Sequence, residues 1–127
     1  MPVINVDSRN WDEEIIRSNV LTVVYFWHER CPWCREMEPI FNKVAAEYEG
    51  KVKFAKLNVL ESVENRELAI SLGVTGTPTL IFFCSGRAVA QVLGFITEEE
   101  LRETVEDTLA RHSVCIAKSS DLRDYIF

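Results

Sequence analysis

The sequence predicts an α/β protein, and three observations carry that expectation. Short runs rich in β-branched and aromatic residues alternate with segments whose apolar residues recur every three or four positions, the pattern of strands alternating with helices. One of those runs, Leu21 to Trp27, is apolar with little alternation, as expected of a central strand covered on both faces. Two later runs, Thr79 to Phe83 and Ala88 to Leu93, flank Ser85-Gly86 and read as a hairpin. The 127 residues suit one domain with one core, spanning 1–112, and a weakly patterned tail, 113–127.

The elements follow in order. Val3 to Val6 forms a short first strand. Asp7 or Ser8 can cap a helix whose apolar face is Trp11, Ile15 and Ile16 and whose stop is Asn19. In the Leu21–Trp27 strand, Tyr25 and Trp27 read first as packing residues. A helix then runs from Pro32 to Tyr48 or Glu49, with Met37, Phe41, Val44 and Tyr48 facing inward and Gly50 as its C-terminal signal. Pro39 lies inside it and removes a backbone hydrogen bond, so a kink is expected. Val52 to Val59 is the third strand. Glu61 to Leu72 is a short helix with Leu68, Ala69 and Leu72 inside and Gly73 as its stop. Pro78 opens the Thr79 strand, and Gly94 ends the hairpin. Thr97 and Glu100 have the spacing of a capping box, and the helix after them buries Leu101, Val105 and Leu109. A short helical turn is expected at Leu122 to Ile126.

The chemistry-bearing stretch is Arg30-Cys31-Pro32-Trp33-Cys34, at the handover from the central strand to a helix. A cysteine pair with two residues between, beside a strand–helix–strand pattern, points to dithiol redox chemistry. The nucleophile in such chemistry is the thiolate. With Cys31 as N-cap, Pro32 takes the first helical position, where its missing N–H costs nothing. The N–H groups of Trp33 and Cys34 can then face the Cys31 sulfur and favour its anion. The spacing brings Cys34 within bonding reach. Cys31 is expected to attack a substrate disulfide and Cys34 to resolve the mixed disulfide. A zinc or iron–sulfur half-site is the competing reading, but Cys84, Cys115, His28 and His112 are isolated in sequence and a tetrahedral site usually needs two more close ligands. Cys84 and Cys115 have no sequence-local partner. Both are expected to be dispensable, with a regulatory or intermolecular disulfide as the alternative.

Composition narrows the partners. A net charge of −6 without a clustered basic face argues against nucleic acid. No apolar run is long enough to span a bilayer. The first residues lack the basic start and apolar stretch of a signal peptide, so a cytoplasmic location is expected, where a close cysteine pair is catalytic more often than structural. A monomer is expected.

From Val3 to about Arg111 the sequence resembles a thioredoxin. The motifs that carry the likeness are Phe26-Trp27 before the pair, Cys31-Pro32-Trp33-Cys34, Pro39, Lys56-Leu57-Asn58, the segment Gly73 to Thr79, and Gly86 and Gly94. The resemblance implies a thioredoxin-like fold, a mixed five-stranded sheet with helices on both faces. It implies a cis peptide bond at Pro78, facing the cysteines, and a docking surface of Pro32, Trp33, Thr77, Pro78 and Gly94 for an extended substrate peptide. It implies a thiol-disulfide oxidoreductase that reduces protein disulfides. No bound cofactor is needed, because the dithiol carries the two electrons, and a separate reductase recharges it. The alternative is a non-catalytic binding module, or a protein holding an iron–sulfur cluster between two chains.

Three departures from the family pattern matter. Pro-Trp replaces the usual Gly-Pro between the cysteines, the Trp usually found before the first cysteine is Arg30, and the buried acid usually six residues before it is Tyr25. In thioredoxins that acid is thought to help deprotonate the second cysteine. Its usual neighbour, Lys56, remains. Glu29, Glu36 and water are then the acceptors to consider for the Cys34 proton. Arg30 and the loss of the acid both favour a Cys31 thiolate and a less negative potential.

Overall fold

A computed structural model describes residues 2–112. Five runs form one sheet: β1 (Val3–Asn5), β2 (Thr22–Trp27), β3 (Lys53–Asn58), β4 (Thr79–Cys84) and β5 (Arg87–Leu93). Their order across the sheet is β1-β3-β2-β4-β5. β1 and β2 run parallel to β3, whereas β4 is antiparallel to both β2 and β5, so the sheet is mixed as expected. The expected domain boundary and tail helix fall on or beside residues outside the described ones.

Side chains alternate across a strand, and β2 divides its residues between two cores. Val23 and Tyr25 enter the layer under α1 (Pro32–Glu47) and α3 (Glu98–Arg111), with Met37, Phe41, Leu101 and Val105. Val24 and Phe26 enter the opposite layer with Trp11, Ile15 and Ala69, the last on α2 (Val63–Ser71). Helices therefore cover both faces, which is why β2 has no polar side to show. Inside the first layer the rings of Tyr25, Phe41 and Phe54 follow one another at 5.0 and 5.1 Å.

The first expected helix is a single π turn, Asp12–Ile16, closed by the Arg17 N–H donating to the Asp12 carbonyl at 3.0 Å. Asp7 does not cap it. Its carboxylate instead accepts from the N–H groups of Arg9 and Asn10, at 2.8 and 3.1 Å, and shapes the loop before it. Ile15 is fully buried but Ile16 is 40% exposed, against expectation. Successive residues on a helical turn point about 100° apart, so both could not face one core. The Ile16 backbone instead lies against the hairpin turn, where a Cβ on Gly86 would come within 2.9 Å of its carbonyl oxygen. Ser85 and Gly86 both have positive φ, 56° and 81°.

α2 begins two residues later than the sequence suggests, because Ser62 is its N-cap and accepts from the Asn65 N–H at 3.0 Å. Leu68 and Leu72 are only half-buried, and Asn65 and Ala69 take the inner positions. Gly73, at φ 86°, ends the helix, and Val74 N–H closes back on the Ala69 carbonyl. On α3 the capping box of Thr97 and Glu100 is present. Thr108 is buried and Leu109 half-buried, and the Thr108 hydroxyl donates to the Thr104 carbonyl at 2.6 Å. Pro39 is accommodated inside α1 on its exposed side.

Candidate functional site

The site is built where β2 ends and α1 begins. Three loop residues follow Trp27, and the loop turns on His28: its carbonyl accepts from the Cys31 N–H, and its Nδ1 accepts from the Arg30 N–H at 3.1 Å. Cys31 is the N-cap of α1, in extended conformation, and Pro32 follows at the first helical position. The Cys31 Sγ takes the place that a serine or aspartate oxygen holds in most helix caps. It accepts from the Cys34 N–H at 3.2 Å. Cys31 and Cys34 are joined by a disulfide with their Cα atoms 5.2 Å apart, so the spacing brings the two sulfurs together as expected. Both residues are buried, Cys31 at 5% exposure and Cys34 at 2%.

The predicted docking residues form one chain of contacts. Trp33 is 59% exposed, and its ring leans on Phe95 at 5.4 Å. Gly94, the neighbour of Phe95, donates its N–H to the Pro78 carbonyl at 2.8 Å. The Thr77–Pro78 bond is cis. Pro32, Trp33, Gly94 and Pro78 thus lie along one connected path. Thr77 lines an adjoining cavity of about 250 Å³ with His28, Leu60, Arg66, Ile70 and Gly76 among its neighbours. Phe95 was not anticipated. Its signal was available only as an apolar residue directly after Gly94.

Behind the pair, Tyr25 is fully buried and its hydroxyl donates to the Cys34 carbonyl at 2.7 Å. Burial, and then the nearby Glu38 carboxylate, push the phenol well above its ordinary pKa, so it stays neutral. The register of β2 on β3 places Lys56 opposite Tyr25. The Lys56 ammonium sits 3.3 Å from the Glu38 carboxylate and 5.2 Å from the centre of the Trp27 ring. A cavity of about 260 Å³ opens here, lined by Trp27, His28, Glu29, Cys34, Arg35 and Glu38. Of the two acids expected near Cys34, Glu29 borders this cavity, while Glu36 does not line it and is exposed. Glu38 is not among the acceptors expected from the sequence, where it counts only as a charge offsetting Arg30 and Arg35. The signal was its place four residues after Cys34, hence on the same helical face.

Among the described residues no group of three or more His, Cys, Asp or Glu could hold a metal ion. Cys84, at the end of β4, is not a free thiol. The expectation for Cys115 lies outside the described residues.

A mixed sheet covered on both faces, with a closable dithiol at the first turn of a helix, defines a dithiol redox protein. A family model described as Thioredoxin matches residues 2–107. The chain is 38% identical over 101 residues to the chloroplastic thioredoxin M-type of Pisum sativum, covering 80% of this chain and 57% of the pea protein. It is 34% identical over 104 residues to thioredoxin 1 of a Nostoc strain, covering 82% and 94%, and 30% identical over 99 residues to the thioredoxin of Pseudomonas aeruginosa, covering 78% and 89%. The match thus spans a little over half the pea protein and nearly all of the Nostoc one. The chain belongs to the thioredoxin family. Membership, together with the Cys31–Cys34 pair, makes it a dithiol–disulfide oxidoreductase, and neither the binding-module nor the iron–sulfur reading finds support.

Proposed function

We propose that this chain reduces disulfides of protein substrates in the cytoplasm, with Cys31 as the attacking thiol and Cys34 as the resolving one, and that it works as a monomer. The observation that carries the reading is the Cys31 sulfur at the helix N-cap, accepting an N–H at 3.2 Å, because that position stabilises the thiolate needed for attack. Attack by Cys31 opens the substrate disulfide and leaves a mixed disulfide. Cys34 then displaces the second substrate sulfur and closes the disulfide seen here. Two electrons pass to the substrate, and a separate reductase must restore the dithiol. The substrate is an extended peptide that pairs with the Thr77 backbone beside Pro78 and rests on Pro32, Trp33 and Gly94. The exposure of Trp33 and its contact path to Pro78 support this surface.

Insulin reduction driven by dithiothreitol tests the reading. Cys31→Ser should abolish turnover. Cys34→Ser should accumulate a mixed disulfide on Cys31. Full activity in Cys31→Ser would remove Cys31 from the attacking role.

A further inference from the structure

We propose that Glu38 accepts the proton of Cys34, through water in the cavity the two residues share, as Cys34 attacks the mixed disulfide. The proposal rests on the reading of Cys34 as the resolving thiol.

The resolving step has a defined balance. The Cys34 sulfur forms a bond to the Cys31 sulfur, the bond from Cys31 to the substrate sulfur breaks, and the substrate leaves as a thiolate with that bond's electron pair. The Cys34 proton must go elsewhere as the new bond forms. Cys34 is 2% exposed, and a thiol in such surroundings resists ionisation unless an acceptor stands near.

Several polar groups stand around Cys34 and its cavity, and most are disqualified. Tyr25 on β2 is a neutral donor already committed to the Cys34 carbonyl. Lys56 on β3 is a cation with no lone pair to offer. Arg35 on α1 is likewise a cation, and it donates to the Glu29 carbonyl at 3.4 Å. The Nδ1 of His28 already accepts from Arg30. Glu36 does not line the cavity. Two carboxylates remain, Glu29 and Glu38.

Geometry separates them. Glu29 is an exposed loop residue, and no ion pair among the described residues holds its side chain. Glu38 stands one helical turn beyond Cys34 on the same face of α1. It is half-buried, and Lys56 pins its carboxylate at 3.3 Å. A cavity of about 260 Å³ borders both Cys34 and Glu38. At roughly 30 Å³ of liquid volume per molecule, that space accommodates a short chain of waters, with polar partners at both ends. The proton then passes from Glu38 to the departing substrate thiolate or to solvent, and the Lys56–Glu38 pair is restored.

Ellman's reagent resolves the two steps in one experiment. Attack by Cys31 releases the first thionitrobenzoate at a rate proportional to reagent concentration. Attack by Cys34 on the resulting Cys31 adduct releases the second at a rate independent of it. Followed by stopped flow from pH 5 to 9, Glu38→Gln should keep the first phase within about twofold, and a urea midpoint near that of the unaltered protein shows that the variant is folded. It should slow the second phase by about tenfold or more near neutral pH, less than the roughly hundredfold at the low end of general-base effects because cavity water still takes the proton, with the deficit shrinking as pH rises and hydroxide takes over. Glu29→Gln should leave both phases within about twofold of the unaltered protein. A second phase in Glu38→Gln that matches the unaltered protein at every pH overturns the proposal, as does a deficit that appears in Glu29→Gln instead. Absence of any second phase in the unaltered protein would overturn the resolving role of Cys34, a failure distinct from that of Glu38.

Discussion

Replacing Tyr25 with Phe separates two roles for the residue that stands where the family usually has an acid. In the structure the Tyr25 hydroxyl makes one hydrogen bond, 2.7 Å to the Cys34 carbonyl, and the ring packs at 5.0 Å on Phe41. Phe keeps the ring and its contacts and removes only the hydroxyl. The Cys34 carbonyl lies in the first turn of α1 and keeps its place in the helix ladder, so no full desolvation penalty is left behind. The loss should be that of one neutral hydrogen bond, about 1 kcal/mol. For a domain of this length that lowers Tm by about 4 °C. Urea denaturation of the oxidised protein measures it, and stopped-flow release of thionitrobenzoate measures the two thiol steps. Both phases should stay within about threefold of the unaltered protein. Restoring the family's acid with Tyr25→Asp should be far worse, by about 4 kcal/mol or more, because it removes a fully buried ring and leaves a carboxyl in apolar surroundings. A tenfold loss of the second phase in Tyr25→Phe would show that the hydroxyl relays the proton. A cost above about 3 kcal/mol would show that it supports more than one carbonyl.

Further outcomes follow from other parts of the fold. Asn65 is 1% exposed, accepts from the Ser8 N–H at 2.8 Å and donates to the Asn58 carbonyl at 3.0 Å. Asn65→Ala strands the Ser8 N–H, while the Asn58 carbonyl keeps the Glu61 N–H at 3.3 Å, so the change should cost about 1–3 kcal/mol in urea titration, whereas a loss under about 0.5 kcal/mol would mean that water replaces the side chain fully. Gly86→Ala must adopt φ near 81° and press its Cβ on the Ile16 carbonyl, so a loss of about 2 kcal/mol or more is expected, read as a fall in Tm. Burial, and the hydrogen bond to Glu106, push the Tyr48 phenol up to about 12 from 10. The folded chain therefore holds this proton after the unfolded chain has lost it, and stability is full below about pH 10 and declines from there to about pH 12. Tyr48→Phe should flatten that decline in denaturation measured between pH 9 and 12, and an unchanged slope would assign the alkaline loss to other groups.

Much of the fold was legible because local chemistry and tertiary need coincide. Leu21 to Trp27 reads as a doubly covered strand, and both layers of the core lean on it. Cys31, Pro32 and Cys34 read as the first turn of a helix, and that turn places the two sulfurs together. Thr97 and Glu100 read as a cap and are one. The residues that the sequence leaves without a role are those whose surroundings come from distant chain. Asn65 looks like a surface residue of a polar helix until the loop at Ser8 and the end of β3 supply its partners. Phe95 looks like a stray apolar residue until Trp33 meets it from across the site.

Glu38 is the most consequential case. In sequence it is one acid among several on a charged helix, and Tyr25 reads as the loss of a carboxylate beside the cysteines. The β2–β3 register places Lys56 opposite Tyr25, and the helix spacing brings Glu38 over both. The carboxylate has therefore not been lost from the vicinity of the resolving thiol but is carried by α1 in place of β2, still paired to the lysine of β3. Of the two arguments for a less negative potential, the missing charge beside the pair accordingly loses its force. The argument that remains is Arg30, whose backbone N–H is anchored on His28 immediately before the attacking cysteine.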